Sequence, residues 1–229
     1  MKNKNLRAFT LAEVLITIGI IGIVAALTIP SLITNYKKVR TVTILKESYS
    51  IMQQAIKLSQ DDNGDIDGWD KELNGSEFFH KYFANYLKWQ KEYTLSEINA
   101  IAPHYFLNGG LYTGGFYTSG SSHFVLINGS SVSIKNTNSE MMLAIDTNGI
   151  SKPNRIGIDT FIFAFTPEYG LQPWGDKAST KGEQFGNYDR KKILGTDHFA
   201  SCNKTKEGKW CTALIIQDGW KISNDYPWK

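Results

Sequence analysis

Residues 9–30, FTLAEVLITIGIIGIVAALTIP, limit this chain more than any other segment. The run is apolar or small throughout except for one carboxylate, Glu13. About twenty helical residues at ~1.5 Å each reach roughly 30 Å, the thickness of a bilayer's hydrocarbon core. A basic head, MKNKNLR, precedes the run and is expected to stay cytoplasmic. Lys37, Lys38 and Arg40 follow it, so the charge rule for orientation rests on the short leader.

Three readings of this segment compete. An ordinary secretory signal peptide explains the basic head and the apolar stretch, with cleavage at Val24-Ala25-Ala26. A plain transmembrane anchor explains length and hydrophobicity. Neither explains Glu13. A lone carboxylate in hydrocarbon costs about 2.5–3.5 kcal/mol on insertion scales, and such groups usually have a partner. Cleavage between Ala8 and Phe9 would create an α-amino group four residues before Glu13. A neighbouring copy could offer that ammonium to the carboxylate, neutralising it and fixing the axial register between helices.

These residues resemble the N-terminal segment of type IV pilins and type II secretion pseudopilins. That family has a short basic leader, a cut before Phe, Glu as the fifth mature residue and an apolar helix ending near a Pro. The matching residues are Lys2, Lys4, Arg7, Phe9, Glu13 and Pro30. The resemblance covers about the first 35 residues. It implies cleavage and N-methylation at Phe9 by a prepilin peptidase, and assembly with copies of itself and other pilin-like subunits on an inner-membrane platform. Ala8 departs from the family's usual Gly before the cut. Gly19 and Gly22 let helix backbones approach closely. Pro30 is expected to kink the helix.

The remaining chain reads as one head. Leu32, Tyr36, Val39, Leu45, Met52, Ala55 and Ile56 recur at helical spacing, so the helix is expected to run to about Ser59. The domain reading is a leader over 1–8, a membrane or filament-core half over 9–30, an amphipathic half over 31–59 and a globular head over 60–229. Asp61–Ser76 reads as a polar surface loop, because a calcium helix–loop–helix would need Gly at Ile66. A helix is expected over Glu77–Tyr93, with its aromatic side in the core, and a short one from Thr94 to before Pro103. Short strands are expected near Tyr112 and Tyr117. Strands over His123–Ile127 and Ser131–Lys135 flank Asn128-Gly129, a strong hairpin signal. Two more are expected over Met141–Asp146 and Thr160–Thr166. The expected fold class is α+β: a long N-terminal helix packed on an antiparallel sheet, which is also the head fold of the resembled family.

Candidate sites in the head are few. Asp146, Asn148, Asn154 and Asp159 offer hard oxygen donors in the connection 146–159, and Ca²⁺ is the possible cofactor. Major pseudopilins of the resembled family carry calcium in a head loop. The bland reading is a tight connection whose Asp and Asn side chains bond their own backbone. Cys202 and Cys211 are too far apart for a redox CxxC pair. With the head outside the cytoplasm, a disulfide is favoured over free thiols, and in the resembled family a disulfide often pins the C-terminal loop. No HExxH, GxSxG or phosphate-loop pattern occurs, and the four histidines are scattered, so no enzyme is expected. Without the three leader cations, 22 basic residues face 22 acidic ones. Net charge therefore gives no argument for nucleic-acid binding.

The sequence thus points to a structural filament subunit of a type II secretion or type IV pilus system. Its precursor would span the inner membrane once, with the head outside the cytoplasm. A minor pilin binding DNA or a surface, and a secreted binding protein with an ordinary signal peptide, are the alternatives.

Overall fold

A computed structural model describes residues 10–137, 140–179 and 184–228. Lys2, Lys4, Arg7, Ala8 and Phe9 lie outside the described residues. The chain divides into two units, Met1–Arg40 and Thr41–Lys229.

The first helix, α1, runs Leu11–Asn63 and continues through Pro30. Pro30 has no N–H to give to the carbonyl one turn back. Nearby, Ser31 Oγ donates to the Thr28 carbonyl and Thr34 Oγ1 to that of Pro30, both at 2.9 Å. Leu32, Tyr36 and Val39 are exposed. Within the second unit the helix buries Val42, Leu45, Ser48, Met52, Ala55, Ile56 and Ser59, a single stripe at helical spacing.

That stripe packs on a six-stranded antiparallel sheet in sequential order. Its strands are β1 (Trp89–Tyr93), β2 (Ser122–Leu126), β3 (Ser131–Asn136), β4 (Met141–Asp146), β5 (Thr160–Thr166) and β6 (Gly170–Pro173). Register places Ile134, Leu143 and Phe163 across from one another, and likewise Val132, Ile145 and Phe161. Alternation along each strand makes this one apolar face. Tyr49 of α1 lies on it, 5.2 Å from the Phe163 ring, and its hydroxyl donates to the Leu171 carbonyl. The second helix, α2 (Gly75–Tyr82), covers the same face at β2, with Phe79 stacked 4.3 Å from Phe124. The layout is α+β and pilin-like, as expected.

A buried polar link joins α1 to the β2–β3 turn. Ser48 Oγ pairs with Ser130 Oγ at 2.8 Å and accepts from Asn128 Nδ2 at 3.0 Å. Ser48→Ala removes a shared partner from a dry site, and is expected to cost about 1–2 kcal/mol in a urea unfolding experiment.

Four expectations need correction. The helix expected over Glu77–Tyr93 ends at Tyr82, where Phe83 leaves helical geometry (φ −130°). Its last five residues form β1, which satisfies the free edge of β2. No short strand forms at Tyr112 or Tyr117. Tyr117 closes a 3₁₀ turn, Gly115–Tyr117, and the nearest pairing is an isolated Tyr105–Leu111 bridge. The helix outlasts Ser59 and takes in Asp61 and Asp62. The loop after it is not all surface: Ile66 and Trp69 are buried, and Trp69 stacks on Tyr82 at 4.3 Å. Thr94 and Glu97 form a reciprocal capping box that opens α3 (Leu95–Ile101), the short helix expected there. The C-terminal region adds α4 (Arg190–Leu194) and α5 (Cys211–Gln217).

Candidate functional site

In the first unit the helix surface is apolar and bare. Leu11, Leu15, Ile16, Ile20, Ile23 and Leu27 are 55–79% exposed. Each side chain of this size left in water forgoes about 1.5–3 kcal/mol of burial energy, so the surface requires a nonaqueous cover. Apart from the helix's own nearby backbone, no atom among the described residues lies within 4 Å of where a Cβ would stand on Gly19 or Gly22. Each glycine costs a helix about 1 kcal/mol, and no neighbour among the described residues accounts for it. The hydroxyls of the run are already satisfied by their own helix: Thr17 donates to the Val14 carbonyl and Thr28 to that of Val24.

Glu13 is the charged group that remains. Its Oε2 accepts from the Thr10 amide at 2.8 Å and from the Thr10 hydroxyl at 2.9 Å. The Glu13 amide donates back to Thr10 Oγ1 at 3.2 Å. This is the reciprocal pattern of a capping box, made on the helix's own first turn. The carboxylate therefore has a local partner but no cation among the described residues.

In the second unit the opposite sheet face carries a buried polar centre. Tyr117 lies between two imidazoles, 4.4 Å from the His104 ring and 5.7 Å from that of His123. His123 Nδ1 lies 2.8 Å from Ser133 Oγ. His104 Nε2 stands 3.5 Å from Asp146 Oδ2, which also accepts from Thr160 Oγ1 at 2.7 Å. Asp159 Oδ2 accepts from Asn148 Nδ2 and from the Asn154 amide, each at 3.0 Å, and its Oδ1 from the Arg155 amide. Asp146, Asn154, Asp159, His104 and His123 are all buried. The fold thus brings all four residues of the candidate calcium set together. It adds His104, Tyr117, His123 and Thr160, which sequence reading left scattered. The one signal was the alternation of polar residues along β2 and β3, and it bears on His123 alone.

Within the candidate set the carboxylates are engaged, while Asn148 Oδ1 and Asn154 Oδ1 are buried without a hydrogen-bond partner among the described residues. Both carboxylates are taken up by N–H and O–H donors of their own connection, and Asn148 turns its amide N–H toward Asp159. Among the described residues no group of three or more His, Cys, Asp or Glu could hold a metal.

Burial, reinforced by the Asp146 charge, pushes the Asp159 carboxyl up to about 7. Burial, with His104 beside it, pushes His123 down to about 4. The two act in opposite senses. Asp159 binds its proton more tightly folded than unfolded, so its contribution to stability is lost as pH rises from about 4 to about 7. His123 stays neutral in the fold, so its contribution is lost as pH falls from about 6.5 to about 4. Between those limits the two slopes cancel. His123→Asn keeps a partner for Ser133 and removes one slope. Relative to the parent, its melting temperature should fall with rising pH across about 4–6.5, by up to one proton's worth of linkage.

The disulfide Cys202–Cys211 closes against this centre. Both cysteines are buried. Gly157, at φ +80°, faces the bond, and a Cβ there would stand 2.7 Å from Cys211 Sγ. Tyr226 donates to the Gly157 carbonyl at 2.6 Å, so the C-terminal tail reaches the same connection.

Residues 31–229 match a protein family described as a family of unknown function, DUF6613. The chain belongs to DUF6613. Residues 3–29 match the prokaryotic N-terminal methylation motif. No curated protein and no solved structure matches the chain. The DUF6613 match begins directly after Pro30, and the methylation motif holds Glu13, Gly19 and Gly22. This DUF6613 chain therefore carries a prepilin-type segment of the type IV pilin-like kind, followed by a head whose family has no assigned role.

Proposed function

We propose that this DUF6613 chain is a structural subunit of a type II secretion pseudopilus or type IV pilus. The observation that carries the reading is the exposed apolar half of α1, lying within the methylation motif with a single carboxylate on it. The precursor spans the inner membrane once, leader inside and head outside, an orientation that the disulfide supports. A prepilin peptidase removes residues 1–8 and methylates Phe9. Glu13 then trades its own helix cap for the Phe9 ammonium of a neighbouring copy, which aligns the two helices before they bundle. Residues 31–59 carry the chain out to the head over 60–229. The work is mechanical, and neither catalysis nor nucleic-acid binding is part of it.

Cysteine cross-linking in cells tests this reading. Ile16→Cys and Ile20→Cys place thiols on the bare helix surface, and the two native cysteines are bonded to each other. Oxidation should give a ladder of multimers when the assembly machinery is present and only monomer without it. Monomer under both conditions would contradict a filament.

A further inference from the structure

Three Asn-x-Ser/Thr sequences occur in the chain, at Asn74-Gly75-Ser76, Asn128-Gly129-Ser130 and Asn203-Lys204-Thr205. In such a sequence an oligosaccharide can be joined to the side-chain nitrogen of the Asn. The fold separates the three by what that nitrogen already does. Asn128 Nδ2 donates to Ser48 Oγ at 3.0 Å, and Ser130 belongs to the same buried link between α1 and the β2–β3 turn. Asn203 Nδ2 donates to the Leu194 carbonyl at 2.9 Å, and the Thr205 hydroxyl is turned onto Asn203 Oδ1 at 3.0 Å. Asn74 is exposed, and so is Ser76. As the N-cap of α2, Asn74 uses its oxygen and its backbone. Its Oδ1 accepts from the Glu77 amide at 3.0 Å, and its own amide donates to Glu77 Oε2 at 3.2 Å. Its Nδ2 and the Ser76 hydroxyl have no partner among the described residues. Of the three, Asn74 alone has an acid two residues earlier, the exposed Glu72.

We propose that Asn74 is an N-glycosylation site, modified outside the cytoplasm from a lipid-diphosphate-linked oligosaccharide. In the transfer, Asn74 Nδ2 forms a bond to the first carbon of the sugar and gives up one proton to solvent. The bond from that carbon to the phosphate oxygen breaks, and the lipid diphosphate leaves with the electron pair. No oxidant or reductant enters. The head accepts the product without rearrangement, because a glycosylated Asn keeps its Oδ1 and with it the cap on α2. An open groove of about 340 Å³ adjoins the sequence, lined by Gly75 and Ser76 with Glu92, Tyr93 and Thr94, which leaves room for the first sugars. Glu92 and Tyr93 belong to β1, the edge strand that pairs with β2 alone. A hydrated glycan beside that edge hinders its pairing with stray chains. The proposal rests on the head lying outside the cytoplasm, as in the assembly reading.

The test is intact mass and peptide fragmentation of the full chain recovered from the cells that naturally produce it, with the N-terminus read on the same sample. The chain should be heavier by whole sugar residues, with that increment on the peptide holding Asn74. Asn74→Asp should abolish the increment and still fold, since Asp caps a helix as well as Asn does. Ser76→Ala should abolish it too, whereas Ser76→Thr should keep it. A bare Asn74 on a chain that begins at Phe9 overturns this proposal and leaves the assembly reading standing. A bare Asn74 on a chain that still begins at Met1 overturns both. An increment that survives Asn74→Asp, or that lies on Asn128 or Asn203, overturns the assignment of the site.

Discussion

Glu13→Gln is expected to leave membrane insertion intact and to cut filament incorporation at least about tenfold, a change that ~1.4 kcal/mol of lost pairing energy suffices to produce. The substitution separates two roles that the structure superimposes. Glu13 caps its own helix through Thr10, and Gln fills the same position of a capping box. Gln cannot neutralise an ammonium. An uncompensated Phe9 ammonium would stay in hydrocarbon, where a charge costs several kcal/mol, and copies would lose their common register. Thr10→Ala is the complementary change. It removes the cap, at about 1 kcal/mol of helix stability, but leaves the carboxylate free to pair. Incorporation measured in sheared filaments should therefore fall far more for Glu13→Gln than for Thr10→Ala. The reverse order would make Glu13 a capping residue and nothing more.

Cys202→Ala with Cys211→Ala should destabilise the head by about 2–3 kcal/mol, the loop-closure entropy of a bridge this short. The bonded residues are nine apart in sequence. For a domain of this size the melting temperature should drop by roughly 5–10 °C. The loss should also spread. Gly157 packs directly on Cys211 and Tyr226 donates to the Gly157 carbonyl, so amide exchange should quicken in the 146–159 connection and in the tail. Thermal melts with and without a reductant, together with hydrogen exchange, measure both effects. Oxidised and reduced heads melting within about 1 °C of each other would place the bridge outside the cooperative core.

What could be read in the sequence follows how local each signal is. The apolar run declares itself without any tertiary context, and the methylation motif lies on the same residues. Strands β4 and β5 stand where expected, because each is a short apolar run bounded by turn residues. The Asn128-Gly129 turn locates the β2–β3 hairpin, with Gly129 at φ +86°. Strand β1 was not legible. Phe78, Phe79, Tyr82 and Phe83 set up a helical rhythm that Tyr86, Leu87 and Trp89 continue, and only pairing with the free edge of β2 ends it. That contact joins residues thirty or more apart. The buried polar centre is nonlocal in the same way: His104 and His123 meet across Tyr117 only after the segment before β2 folds over the sheet. Trp69 belongs to a polar stretch by composition and to the core by its stack on Tyr82. Glu13 shows a different failure. Thr10 and Glu13 have the same Thr-x-x-Glu spacing that opens α3, yet their apolar surroundings direct attention to a neighbouring chain rather than to the helix's own first turn.

The most direct test of the account is the N-terminus of the protein recovered from cells, by intact mass and N-terminal sequencing. The account predicts a chain that begins at N-methylated Phe9, lacks residues 1–8 and retains Glu13. A chain beginning near Leu27 would contradict it, since cleavage there discards Glu13 and the bare helix surface and leaves a secreted globular protein.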